Sequence, residues 1–213
     1  MKIIVTDGYV ENPGDLSWAP LEALGEVTYY DRIGLSDEDE TIRRIGDAEI
    51  AVINKAPVSR RVIDSCPNLK FIAVMATGYN VVDVAYAKEK GLYVIMDAKR
   101  GDIGSTAAAY AHHLSGVNAG EHAFDPWHED AVTVNPYLGT DGITPFVEAA
   151  TGADKDIFVL VRTSNPSSSE LQELELASGE RVYEHVADLV EGWGAETIGA
   201  NGYPVSARWS EPP

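Results

Sequence analysis

Residues 94–111 read VIMDAKRGDIGSTAAAYA, and they contain the passage from a strand to a helix. The apolar run at the start predicts a buried strand, and the small residues from Thr106 onward predict a helix. Between the two patterns, Asp97, Lys99 and Asp102 place two carboxylates around an ammonium within six positions. The stretch therefore predicts a strand–turn–helix unit with charged groups gathered at the carboxyl end of its strand.

The same alternation extends over most of the chain. Short runs rich in Val and Ile mostly lack a strict polar alternation, as in strands that are buried on both faces. Helix-like patterns lie between these runs, and Gly91 is placed to end one of the helices. We therefore predict an α/β fold with mostly parallel strands and a loop at 115–130. The predicted strands are Lys2–Thr6, Glu26–Tyr30, Ile50–Asn54, Phe71–Ala76, Tyr93–Met96, Ala131–Val134 and Ile157–Val161.

The composition limits the classes of partner and compartment. The 213 residues include 16 basic and 34 acidic side chains, for a net charge of -18, which disfavours nucleic acid polymers and anionic membranes as partners. The single cysteine, Cys66, excludes an intramolecular disulfide and fits a reducing compartment. The N-terminus lacks the pattern of a signal peptide, and no apolar stretch is long enough to cross a membrane. We therefore expect a cytoplasmic protein.

The charged cluster has a functional and a structural interpretation. Residues at i and i+2 of a strand point to the same side, so the side chains of Asp97 and Lys99 should project together. An ammonium between carboxylates keeps its proton, and it suits a step in which a carbanion forms nearby and is then protonated. The structural alternative is an ion pair plus an acidic residue, Asp102, at the start of a helix.

Residues 92–203 resemble orotidine 5'-phosphate decarboxylases of the branch that carries DAKRGD. Three blocks occur in the family's order, namely VIMDAKRGDIGSTAAAYA, DAVTVNPYLGTDGITPF and IFVLVRTSNPSSSELQEL. The resemblance implies part of a (β/α)8 barrel and a cofactor-free decarboxylation of orotidine monophosphate to UMP and CO2. It also implies a small nucleotide as substrate and a homodimer.

The resemblance also implies roles for individual residues. Asp97 would lie beside the departing CO2, Lys99 would protonate C6 of the pyrimidine, and Asp102 would reach into the site of a neighbouring copy. The implied substrate contacts are Ile103, Thr106 and Ser164. No metal site is implied, and the sequence has no metal-ligand spacing of His or Cys.

Residues 1–91 resemble the flavodoxin-like substrate domain of D-2-hydroxyacid dehydrogenases. The resemblance lies in MKIIVTDGYVENPGDLSWAPLEALGEVTYYDR and AVINKAPVSRRVIDSCPNLKFIAVMATGYNVVDVAYAKEKG. It implies a carboxylate-binding loop at Ala76, Thr77 and Gly78. NAD would be the cofactor in this interpretation, although no G-x-G-x-x-G motif occurs in the sequence.

The two resemblances together predict a chimera-like chain. The predicted domains are 1–91, 92–203 and an irregular tail at 204–213. We expect an impaired decarboxylase, because several parts of the family's site have no counterpart here. These parts are the other catalytic lysine, the first two and the last strands of the barrel, and the phosphate-binding residues. Lys55, at another strand end, is a hypothetical replacement for that lysine. The alternatives are a dehydrogenase-like oxidoreductase fragment and a non-catalytic chimeric or designed α/β domain.

Overall fold

The computed structural model describes residues 1–12, 14, 17–76, 79–163, 165–195, 197 and 206–210. The chain divides into two compact units, a first unit Met1–Val94 and a second unit Ile95–Pro213. Each unit contains a sheet of four parallel strands with its own core, and each is described separately below.

The first unit alternates strands and helices. Its strands are β1 (Lys2–Val5), β2 (Glu26–Tyr29), β3 (Ile50–Ile53) and β4 (Phe71–Val74). They form a sheet of the order β2-β1-β3-β4, and all three neighbouring pairs are parallel. The helices are α1 (Gly8–Glu11), α2 (Ala19–Glu22), α3 (Glu38–Ile45), α4 (Arg60–Ser65) and α5 (Val84–Glu89).

Apolar side chains cover both faces of this first sheet. Ile4 and Ile53 belong to a cluster on one face, together with Val62 of α4. Ile3 and Val5 point to the other face, where Trp18 and Leu21 pack against them. The two-sided burial explains why these strands show runs of Val and Ile instead of an apolar–polar alternation.

The second unit contains the strands β5 (Ile95–Arg100), β6 (Val117–Ala119), β7 (His122–Phe124), β8 (Ala131–Val134), β9 (Asp156–Arg162) and β10 (Ser206–Ser210). Four of them form a parallel sheet of the order β10-β9-β8-β5. Its helices are α6 (Gly104–Tyr110), α7 (His112–Ser115), α8 (Thr140–Ala153) and α9 (Val182–Gly194), with a 3-10 helix at Pro166–Glu170.

The core of the second unit lies between the sheet and its helices. Val132 and Val134 of β8 pack with Ile143 and Phe146 of α8, and all four side chains are fully buried. Along β9 the buried residues alternate with half-buried ones. One face of this strand is therefore covered by helices, while its other face is covered less completely.

The structure confirms the predicted α/β class and its mostly parallel strands. All seven predicted strands are present, and Gly91 ends α5 with a φ of 81° and a hydrogen bond from its N–H to the carbonyl of Lys88. None of the helices among the described residues is long and apolar enough to span a membrane.

Two local predictions are wrong. The segment 115–130, predicted as a loop, contains the antiparallel hairpin of β6 and β7. The predicted irregular tail at 204–213 contains β10, which pairs with β9 in parallel. Neither segment has the apolar sequence pattern of a buried strand. Backbone hydrogen bonds to a neighbouring strand form in both places without that pattern.

Candidate active site

The charged cluster lies on a bulge near the carboxyl end of β5. Ile95 and Met96 pair regularly with β8, and the register then shifts so that Arg100 stands opposite Val134. Three residues of β5, 97–99, therefore face the single residue Thr133 of β8. Lys99 adopts a φ of 47°, which is in the left-handed region. Bulges redirect side chains, and this one turns the charged residues away from a regular ladder.

The bulge brings the side chains of Asp97 and Lys99 together. Lys99 Nζ lies 2.5 Å from Asp97 Oδ2. The other carboxylate oxygen, Asp97 Oδ1, accepts a hydrogen bond of 2.8 Å from the hydroxyl of Thr133. The same hydroxyl accepts a hydrogen bond of 2.9 Å from the backbone N–H of Lys99. The expectation that Asp97 and Lys99 project together agrees with this contact, although a bulge and not a regular strand produces it.

Sequence reasoning missed Thr133. Its side chain is fully buried, and it is the one polar residue of β8. A hydroxyl in an otherwise apolar buried strand needs a hydrogen-bond partner, and this requirement was the available signal.

Asp102 lies in the turn after β5. Its Oδ1 accepts a hydrogen bond of 2.8 Å from the N–H of Ile103, and α6 begins two residues later without a side-chain cap. The adjacent Gly101 permits a close approach of the two strand ends, because a Cβ there would lie 2.9 Å from the carbonyl oxygen of Asn135.

The other residues implied as substrate contacts are only partly described. Ile103 and Thr106 are exposed, and the Ile103 side chain is 55% accessible. Ser164 lies outside the described residues. The Asp97–Lys99 pair is itself accessible to solvent, since the two side chains are 49% and 39% exposed.

The strand ends of the first unit are tied together by buried polar groups. Asp7, at the end of β1, accepts hydrogen bonds from the N–H groups of Asn54 (2.9 Å) and Lys55 (2.5 Å). The Asn54 amide in turn donates to the carbonyl of Met75 at 2.7 Å. Ala76 follows and is half-buried, while Thr77 and Gly78 of the predicted carboxylate-binding loop lie outside the described residues. The Lys55 side chain is exposed at the end of β3.

A second carboxyl group lies near Asp7. Burial raises the pKa of Glu11 to about 8, and the neighbouring carboxyl group of Asp7 acts in the same direction. Glu11 therefore holds a proton at neutral pH in the folded state.

The second unit also buries ionisable groups outside the charged cluster. Glu129 is fully buried, and His113 Nδ1 lies 4.0 Å from its Oε1. Burial lowers the pKa of His113, and the positive charges of Arg100 and Lys155 lower it further. Lys155 pairs with Asp125 at 2.9 Å. Among the described residues, no three His, Cys, Asp or Glu side chains converge as metal ligands.

Comparison with protein families finds the two families that the resemblances predict. Residues 69–205 match the family described as orotidine 5'-phosphate decarboxylase / HUMPS. Residues 3–104 match the catalytic domain of D-isomer specific 2-hydroxyacid dehydrogenases. The two matches overlap at 69–104, the segment that contains β4, α5 and β5.

Individual relatives come from both families. A hydroxypyruvate reductase of Blautia hydrogenotrophica is 61% identical over 94 residues, which are 44% of this chain and 29% of the relative. An orotidine 5'-phosphate decarboxylase of Rhodopirellula baltica is 46% identical over 125 residues, which are 58% of this chain and 40% of the relative. The chain thus spans less than half the length of either of these curated relatives.

A solved structure extends the likeness to the fold. A crystal structure assigned as an orotidine 5'-phosphate decarboxylase from Streptomyces avermitilis aligns with a TM-score of 0.54 and 25% identity. The alignment covers 99% of this chain and 64% of the other.

Proposed function

We propose that this chain, which belongs to the orotidine 5'-phosphate decarboxylase / HUMPS family through residues 69–205, is a carbon–carbon lyase that forms UMP and CO2 from orotidine 5'-phosphate. One observation carries the proposal, namely the Asp97–Lys99 pair of 2.5 Å at the carboxyl end of β5. Ligands of parallel α/β folds bind at this end of the strands.

In the proposed reaction Lys99 and Asp97 have different roles because their side chains carry opposite charges. The bond between C6 and the substrate carboxylate breaks, CO2 leaves, and the electron pair stays on C6. The ammonium of Lys99 stabilises this negative charge and then donates its proton to C6, after which solvent reprotonates the amine. Asp97 repels the substrate carboxylate before the bond breaks, and this repulsion disappears when neutral CO2 forms. The decarboxylation requires no cofactor.

The remaining assignments belong to the same proposal. Ile103, Thr106 and Ser164 contact the nucleotide, and Asp102 reaches the site of a second copy in a homodimer. Ile103 is 55% exposed and is therefore accessible to a ligand or to a partner subunit. We propose a cytoplasmic location for this enzyme.

We also propose that the chain taken alone turns over slowly. Among the described residues, the parallel sheet of the second unit has four strands and two edges, β5 and β10. An open sheet leaves the reacting groups more hydrated than a closed barrel would. Electrostatic stabilisation by Lys99 is weaker in water than in a closed site.

The experiment is a UMP-formation assay with three forms of the chain. We expect measurable turnover in the unsubstituted protein and none above background in Lys99→Ala. Lys70→Ala is the matched control, since Lys70 is also an exposed lysine in an ion pair, 2.8 Å from Glu49. Turnover that survives in Lys99→Ala would refute the proposal. A folded protein without any Lys99-dependent turnover would favour the non-catalytic α/β domain.

The second candidate is an NAD-dependent oxidoreductase of the 2-hydroxyacid type. The 61% identity over 94 residues with a hydroxypyruvate reductase supports it. Calorimetric titration with NADH tests this candidate directly, and an absence of binding at millimolar NADH would remove it.

A further inference from the structure

We infer that Thr133 is a positioning residue whose buried hydroxyl holds the backbone of Lys99 and the carboxylate of Asp97 in one fixed arrangement. Thr133 is fully buried, and its Oγ1 makes both hydrogen bonds from a position opposite the bulge. The inference depends on the proposed function only where activity is measured, because the contacts themselves can be tested without substrate.

The direction of each hydrogen bond follows from the groups involved. An ionised carboxylate only accepts, so the hydroxyl proton of Thr133 points to Asp97 Oδ1 at 2.8 Å. The lone pairs of the hydroxyl oxygen then remain for the N–H of Lys99 at 2.9 Å. A single hydroxyl thus satisfies one group on each of the two residues.

The backbone of Lys99 needs this support. Its φ of 47° is disfavoured for a residue that carries a Cβ. The register shift also removes the regular ladder between Met96 and Arg100. The hydroxyl of Thr133 replaces a ladder acceptor for the N–H of Lys99, and it thereby stabilises the left-handed conformation.

The ion pair alone holds its partners weakly. The side chains of Asp97 and Lys99 are 49% and 39% exposed, and exposed ion pairs contribute little because water and salt screen them. A buried hydroxyl on a rigid central strand is a stronger constraint. We therefore attribute the orientation of the pair to Thr133, which touches neither the substrate nor the reacting atoms in the proposed reaction.

The test compares Thr133→Val, which removes the hydroxyl at nearly constant volume, with Thr133→Ser, which retains it. Thr6→Val is the matched control, since Thr6 is also fully buried and donates a hydrogen bond of 2.8 Å to an aspartate, Asp7, in the first unit. The first readout is amide hydrogen exchange of Lys99, measured by NMR. The amide of Asp156, which donates to the carbonyl of Asp130 at 2.9 Å, serves as reference for overall opening of the sheet.

We expect exchange of Lys99 to accelerate about five- to tenfold relative to Asp156 in Thr133→Val. It should change less than about threefold in Thr133→Ser and in Thr6→Val. An unchanged exchange ratio in Thr133→Val would overturn the inference, whatever the activity. Equal acceleration of both amides would also overturn it, because that result describes a general loss of stability.

The second readout is UMP formation. We expect Thr133→Val to lower kcat about tenfold with little change in KM. Thr133→Ser should retain most of the kcat of the unsubstituted chain. If the unsubstituted chain forms no UMP, the proposed function fails while the exchange experiment still decides the role of Thr133. If kcat is equal in all forms although the exchange ratio changes, the positioning role in catalysis is refuted.

Discussion

Replacing Glu11 by Gln should abolish a pH dependence of stability that is confined to the first unit. The pKa of Glu11 is raised to about 8, first by burial and then by Asp7. Asp7 accepts hydrogen bonds from the N–H groups of Asn54 and Lys55 and from the hydroxyl of Thr6. Because burial disfavours the ionised form of Glu11, its carboxyl group keeps the proton.

The direction of the effect follows from the two protonation states. In the unfolded chain Glu11 ionises near its ordinary pKa of 4.5, whereas the folded state retains the proton up to about pH 8. Ionisation therefore favours the unfolded chain as the pH rises between these two values. The stability that the protonated carboxyl contributes is complete below pH 4.5 and is lost progressively up to about pH 8.

The magnitude follows from the pKa difference. A shift of one pKa unit corresponds to about 1.4 kcal/mol. Ionisation of the unfolded chain is incomplete at about pH 5, and ionisation of the folded chain has begun at about pH 8. Integration over this interval therefore gives a loss of about 3.5 kcal/mol in the free energy of unfolding. Glu11 as a residue is only half-buried, so solvent screening lowers this figure. We expect a loss of roughly 2 kcal/mol or more in the free energy of unfolding.

Urea unfolding followed by hydrogen exchange and mass spectrometry distinguishes the two units by their peptides. Glu11→Gln should flatten the pH dependence of the first unit, because the amide does not ionise in this range. Glu26→Gln changes an exposed carboxylate at the start of β2, and this variant should retain the pH dependence of the first unit. The reasoning is refuted if Glu11→Gln and the unsubstituted chain lose stability equally between pH 5 and pH 8.

Two further predictions concern the second unit. The pKa of His113 is lowered in the folded state, so the unfolded chain binds the proton first as the pH falls through about 6.5, and stability is then lost. His113→Gln should remove this loss in the same exchange assay, and His112→Gln, at an exposed position, should not. Gly101→Ala should lower the free energy of unfolding by about 1–3 kcal/mol, because its Cβ would lie 2.9 Å from the carbonyl of Asn135. Gly152→Ala, in open space on α8, should be neutral or stabilising in the same urea titration, and equal losses would contradict the argument.

Seven of the eight strands in the two parallel sheets, all except β10, were predictable because buried strands need apolar, β-branched side chains whatever their neighbours are. The hairpin was not predicted, since β6 and β7 have three residues each and lie mostly exposed. Its signal was confined to Gly120, which begins the two-residue turn with a φ of 65°. Backbone pairing across that turn, and not burial, produces these strands.

The candidate site was predictable only in part. The separation of two residues between Asp97 and Lys99 indicated a shared side of the strand, and the two side chains do meet. Thr133 lies 34 positions after Lys99, and no local pattern connects the two residues. Only the pairing of β5 with β8, together with the register shift, brings the hydroxyl to the bulge.

The sequence by itself determined the α/β class and seven of the strands, and it also indicated the two families that the chain resembles. These properties depend on local patterns of apolar residues, turn residues and motifs. The tertiary structure alone decided the strand order within each sheet, the left-handed backbone of Lys99 and the pairing of one hydroxyl with two residues of the cluster. Such features depend on which strands become neighbours and in which register, and register is set by packing between segments that are distant in the chain.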